Sequence, residues 1–237
     1  LYNLFKIDED TCLESKMLSH GIENAQKNIE GRNFGIRKNV LQYDDVMNTQ
    51  RKVIYEQRQQ VLNGLDVQEQ IQKMLRKTIQ GQLLSHLNEQ GELDEQVFQQ
   101  AVAPYRKLWM DPDELHLTTK QLQEKGVEGA TDLVYESAKE GYARKEEEFG
   151  AQHFRQFERL LLLRAIDRNW MDHLDAMEEL KKGIGLRAYA QTDPVVAYKK
   201  EGYEMFEATV AAIQAETVYS LFSIRVPRQE EQQKEAS

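Results

Sequence analysis

Along the first quarter of the chain, apolar residues recur at spacings of three, four or seven. They are Leu18, Ile22, Ala25, Ile29, Ile36, Val40, Tyr43, Met47, Ile54 and Val61. This is the period of one helix face, slightly under-wound towards a heptad. Residues 17–62 contain no proline and no cluster of turn residues. The pattern therefore predicts one continuous helix, roughly 70 Å long at 1.5 Å of rise per residue. Leu41, Val46, Val53 and Leu62 lie beside the stripe and widen it. So long a helix persists only if something packs along most of its length. Ser15 or Ser19 is placed to cap its start, and Asn63-Gly64 to end it. Gly31 and Gly35 each cost about 1 kcal/mol relative to alanine in an exposed helix. They read either as tolerated surface positions or as a strip where another backbone comes close.

The pattern then breaks into shorter pieces. Residues 67–87 read as an amphipathic helix, 88–91 as a turn and 94–102 as a helix that Pro104 bends or ends. Asp111-Pro112-Asp113-Glu114 has the form of a helix start, with Asp as cap, Pro in the first position and Glu114 completing a capping box. Gly126 and Gly129 bracket a predicted loop, and Thr131 opens a predicted helix carrying Leu133, Val134, Ala138 and Tyr142. From Gln152 the period returns through Phe154, Phe157, Leu160, Leu161, Ile166, Trp170, Leu174, Met177 and Leu180. Lys181-Lys182-Gly183 closes that helix, with cations at the negative end of its dipole. After a loop at 184–192, Asp193-Pro194 opens a final helix to about Ser223. Two long helices joined by a short loop predict an antiparallel hairpin. The fold class is all-α. The chain divides into a lead-in at 1–16 (whose residues 1–7 read as a short strand or an extended segment), the long helix at 17–63, a helical region at 64–151, the hairpin at 152–225 and a fraying tail at 226–237.

Composition narrows the classes. Of 237 residues, 30% are charged and 40% hydrophobic, which suits extended helices with solvated faces. The net charge of -9 argues against a general nucleic-acid surface, which needs clustered Lys and Arg. Acids outnumber bases most strongly across 64–151, so that region is expected to be peripheral. The single Cys12 forms no internal disulfide and points to a reducing compartment. No apolar run approaches the length of a membrane span. A chain that opens on Leu is expected to be a piece of a longer one.

Candidate chemistry is sparse. Asp44 and Asp45 are neighbours on a helix and point about 100° apart, so they are no acid/base pair. Asp172, His173, Asp175, Glu178 and Glu179 resemble a metal cluster on paper, but lack a two-ligand spacing such as HExxH. There is no GxxxxGK[ST] loop and no GxGxxG turn to cradle a phosphate. No catalytic or metal residue is assigned. The loop at 184–192 stands out, because Ile184, Leu186 and Tyr189 are apolar or aromatic where loop tips are usually polar. It either docks back onto its own bundle or touches a partner.

Two stretches carry a family resemblance. One is Arg32-Asn33-Phe34-Gly35-Ile36-Arg37-Lys38 with Tyr43-Asp44-Asp45-Val46 and Gln50-Arg51. The other is Trp170, His173-Leu174, Met177, Leu180, Gly183-Ile184, Leu186-Arg187, Tyr189-Ala190-Gln191 and Asp193-Pro194. They resemble the helical scaffold and two-helix finger of the SecA family of preprotein translocase ATPases, with a helical wing inserted between them. Gly35 stands where that family is expected to carry an acid.

The resemblance implies the part of SecA without its nucleotide-binding domains. This fragment would be non-enzymatic and hold no cofactor of its own, with ATP and Mg bound by the parent and the zinc-binding tail absent. Asn33, Arg37, Tyr43, Asp44, Asp45 and Arg51 would contact the motor domains of the same protein. Ile184, Leu186, Arg187 and Tyr189 would contact the SecYEG channel and the unfolded preprotein, and Trp170 would pack in a segment that restrains ATP turnover. The implied location is the bacterial cytoplasm, peripherally on the inner face of the cell membrane and its anionic surface, with no nucleic acid and a possible homodimer. The competing reading is a stand-alone helical adaptor or coiled-coil oligomerisation module.

Overall fold

The computed structural model describes residues 16–64, 66–111, 113–184 and 193–225. Residues 1–15 of the predicted lead-in (with Ser15), the tip residues Leu186, Arg187 and Tyr189, and the tail from 226 lie outside them. The described residues form α1 (Lys16–Leu62), α2 (Gln68–Leu84), α3 (Glu95–Val102), a 3-10 turn (Tyr105–Lys107), α4 (Thr119–Phe149), α5 (Ala151–Ile184) and α6 (Pro194–Ser223), with no strand among them. The all-α class holds, and α1 is one helix of 47 residues. Ser19 lies inside it rather than at its start. Gly64, at φ 82°, ends it as expected.

Local chemistry explains most of the boundaries. Asp94 caps α3 by accepting from the Val97 N–H at 2.9 Å. Asp193 caps α6 through the Val195 N–H at 2.8 Å, with Pro194 in the first turn. The predicted helix start at Asp111 does not become a helix. The Glu114 carboxylate does accept from the Asp111 N–H, at 3.1 Å, so half of the expected capping box forms. Leu115 then takes φ 56°, a left-handed conformation that no helix interior allows. The helix starts instead at Thr118, whose hydroxyl accepts from the Gln121 N–H while the Gln121 side chain accepts from the Thr118 N–H. No loop forms at Gly126 and Gly129. Gly126 alone leaves the helical region, at φ 63°, and α4 kinks there and continues. Thr131, expected to open a helix, lies inside α4 and donates its hydroxyl to the Val127 carbonyl at 2.7 Å.

α5 and α6 run antiparallel. Asn169 meets Glu216, His173 meets Thr209, and a Cβ on Gly202 would touch the end of Met177. The main core joins α2, α3 and α4 to the tail half of this pair: Leu75, Ile79, Leu83, Phe98, Leu122 and Val134 are buried with Phe154, Leu162, Ile166, Val218 and Leu221. The acidic 64–151 region is thus no peripheral appendage. Its acids lie outward, where Glu128 and Asp132 of α4 hold Arg76 of α2, and its apolar faces supply much of the core. A smaller cluster of Met177, Ile184 and Tyr198, with Tyr43 and Val46 against it, holds the other end of the hairpin to α1.

Candidate functional site: the long helix and the end of the hairpin

Packing divides α1. In its last third Ile54 and Val61 are buried, and Tyr55 lies edge-on to Trp170 with ring centroids 6.5 Å apart. Arg58 bridges to Asp167 of α5 through Nε at 2.8 Å and Nη2 at 3.3 Å. The hydrogen bond and charge of Asp167 hold that guanidinium above its ordinary range. Val210 and Ile213 line a crevice with Gln57 of α1 and Met74 of α2. Phe157 meets Phe149 at the end of α4 edge-on, with ring centroids 5.4 Å apart. Ahead of residue 42 the stripe has no cover among the described residues: Ile22, Ile29, Ile36 and Val40 are exposed, as are Phe34 and Leu41 beside them, Leu41 by 69%. The expectation that α1 is packed along most of its length is therefore not met here. A Cβ on Gly31 or Gly35 would meet nothing within 4 Å.

The residues implied as motor contacts fall on both sides of that division. Asn33, Arg37, Asp44, Asp45 and Arg51 are exposed and Tyr43 is half-buried. Tyr43 meets the Tyr198 ring edge-on at 4.7 Å, and Asp44 faces Lys181 at 3.3 Å. Arg51 donates to Asn48 on its own helix. Ile184 is only 1% exposed and packs with Met177 and Tyr198, so this side chain serves the hairpin's own cluster. Trp170 is buried, and its indole N–H meets no hydrogen-bond partner among the described residues.

Two buried polar groupings escaped the sequence reading. Gln50 and His173 meet at 2.9 Å between α1 and α5. The paper metal cluster does not assemble around His173. The ring turns inward, while Asp172, Asp175, Glu178 and Glu179 are exposed. Where α4 meets α5, Glu158 is fully buried. It accepts from the Tyr142 hydroxyl and from Arg155, which also holds Glu146. Burial and the neighbouring Glu158 push the Tyr142 phenol well above its ordinary range. Burial alone would lower the Arg155 guanidinium, but its bonds to Glu158 and Tyr142 win and raise it. The available signal was positional: Gln50 follows Met47 and precedes Ile54, and His173 follows Trp170 and precedes Met177. A polar residue on an apolar stripe needs a buried partner.

This arrangement defines a class, a helical framework in which one over-long helix carries a hairpin and a smaller helical lobe. The chain belongs to the SecA wing and scaffold family: the family described as SecA Wing and Scaffold domain matches residues 12–225. The chain is 45% identical over 222 residues to the protein translocase subunit SecA of Clostridium botulinum, covering 94% of this chain and 26% of that protein. It is 44% identical over 229 residues to the SecA of Clostridium acetobutylicum, covering 96% and 27%. It is 43% identical over 220 residues to the SecA 1 of Clostridioides difficile, covering 93% and 24%. The chain thus spans about a quarter of the length of these relatives. Among the described residues, no helix is long and apolar enough to cross a membrane.

Proposed function

We propose that this chain is the scaffold, wing and finger part of a SecA-type protein translocase and has no catalytic site of its own. In this reading residues 17–63 are the scaffold helix, 64–151 the wing and 152–225 the finger. The exposed half of α1 receives the motor domains of the parent protein, with Asn33, Arg37, Asp44, Asp45 and Arg51 on that face and Tyr43 at its edge. ATP and Mg belong to those domains. Their movement travels along α1 to the hairpin, whose tip residues Leu186, Arg187 and Tyr189 meet the SecYEG channel and the unfolded preprotein, at the inner face of the cell membrane. An aromatic at 189 suits a moving chain, since it offers contact area without demanding a particular partner. Ile184 supports that tip from within, and Trp170 lies in the segment that restrains ATP turnover.

The observation that carries this reading is the division of α1: one continuous helix is anchored at its end by the hairpin and bare along an apolar stripe at its start. A rigid element held at one end and contacted at the other can transmit a bias between sites. The test is site-specific cross-linking from position 189 in the full-length parent during translocation. Adducts to the channel or to a stalled preprotein are expected. Their absence, with Tyr189→Ala leaving transport intact, overturns the reading.

The bare stripe also favours a second reading, an adaptor that pairs through α1 with another copy. A monomer by light scattering at micromolar concentration excludes it.

A further inference from the structure

One buried polar contact joins α1, α5 and α6. Gln50 is 6% exposed and His173 3%. The Gln50 amide Nε2 donates to the Gly202 carbonyl of α6 at 2.9 Å. That fixes the amide's orientation and turns its oxygen to the Nε2 of His173, 2.9 Å away. An amide oxygen only accepts, so the imidazole proton sits on Nε2. The other ring nitrogen stands 3.0 Å from the Thr209 hydroxyl, which also lies 2.9 Å from the Met205 carbonyl. Burial disfavours a second proton on the imidazole, and that nitrogen competes with the Met205 carbonyl for the single proton of the Thr209 hydroxyl. A Cβ at Gly202 would come within 2.7 Å of the Met177 methyl, the movable end of that side chain, and within ordinary contact of Val46 on α1 at 3.8 Å.

The place of this contact matters as much as its chemistry. On one side Ile54 and Trp170 belong to the main core. On the other, Met177, Ile184 and Tyr198 form the small cluster that meets Tyr43 and Val46. Beyond the contact, the hairpin's far end leans on that small cluster and on the half-exposed Lys181–Asp44 pair. Burial of apolar surface is non-directional, whereas an amide held on both sides loses a hydrogen bond if it moves.

We propose that Gln50, His173 and Thr209, seated against Gly202, are positioning residues that fix the angle at which the far end of the hairpin stands on the long helix. The joint belongs to this chain's own geometry. Only its bearing on transport rests on the reading above, which stands or falls separately at position 189 of the parent.

The test uses the 237-residue chain with its single cysteine replaced, Cys12→Ser. Spin labels at Lys38→Cys and Lys199→Cys report across the far end. Labels at Glu56→Cys and Ala212→Cys report on the main core. Gln50→Leu is expected to broaden the first distance distribution about two-fold, as a loosened hinge does, and to leave the second unchanged. No change in the first, or equal broadening of both, overturns the proposal. Imidazole nitrogen resonances supply an independent readout. His173 is expected to be protonated on Nε2 alone in the native chain and on both nitrogens at pH 7 in Gln50→Glu, whose carboxylate draws the second proton. An unaltered ring signal in that variant overturns the assigned contact. If Gln50→Leu does not fold, Thr209→Val removes only the outer hydroxyl. Broadening confined to the first pair then supports the joint, and an unchanged first pair overturns it.

Discussion

The two halves of α1 carry the same periodicity and meet opposite fates. From Gln50 to Val61 the stripe is buried at Gln50, Ile54 and Val61. From residue 19 to 41 the same spacing places Ile22, Ile29, Ile36 and Val40 in the open. A hydrophobic period records that a helix face needs a cover. It does not record whether the cover lies in the same chain. The difference also separates two meanings of glycine. Gly202 and Gly141 sit at close approaches, where a Cβ would meet Met177 at 2.7 Å and Trp109 at 2.5 Å, whereas Gly31 and Gly35 face open space.

The sharpest way to break this contrast is to truncate one isoleucine in each half. Ile54→Ala should cost about 2–5 kcal/mol of unfolding free energy, as buried Ile truncations do, and Ile29→Ala should stay within about 0.5 kcal/mol. Urea denaturation of both variants checks it; equal losses would mean that the first half is covered after all. The glycines follow. Gly141→Ala pushes a methyl into the Trp109 side chain and should destabilise by about 1–3 kcal/mol. Gly35→Ala should stabilise the isolated chain by about 0.5–1 kcal/mol through helix propensity. Restoring Gly35 should be required in the full-length parent if a second backbone lies against it there; identical transport by both forms would remove that neighbour.

The smallest effect concerns pH. Burial lowers the folded-state affinity of His173 for a proton below that of the unfolded chain. The unfolded state therefore binds more protons as pH falls, so this contribution is complete above the ordinary histidine range and lost progressively below about pH 6.5. The thermal midpoint of the native chain should fall more between pH 7 and pH 5.5 than that of His173→Gln. Parallel curves would show that the ring does not titrate between the two states.

Much of the architecture was legible in the residues. The long helix, the hairpin and the cap at Asp193 follow from period and local hydrogen-bond chemistry, which act over a few residues. The failures share a cause. Asp111 and Glu114 form their local bond, yet Leu115 turns left-handed and the helix waits for Thr118. Gly126 kinks a helix that the core on both sides holds together, through Leu122 before it and Ala130 and Val134 after it. The acidic composition of 64–151 suggested an outlying module because charge was averaged over faces. In the fold Glu128 and Asp132 of α4 face solvent and Arg76, while Leu122, Val134 and Ala138 face inward.

Of the candidate positions, Asn33, Arg37, Asp44, Asp45 and Arg51 came from the resemblance and fall at exposed positions of α1. The inward turn of Ile184 and the joint at Gln50, His173, Thr209 and Gly202 were not legible. The joint depends on Gln50 being brought within 3 Å of residues more than a hundred positions away. The sequence by itself determined that this protein is helical, that one helix is over-long, where the hairpin opens and which family it resembles. These are consequences of period, capping and motif, all local along the chain. Only the tertiary structure decided which half of the long helix is covered, which polar groups are buried together and where the hairpin is fixed, because burial is a property of neighbours in space and the same stripe can be satisfied or left bare without changing a residue.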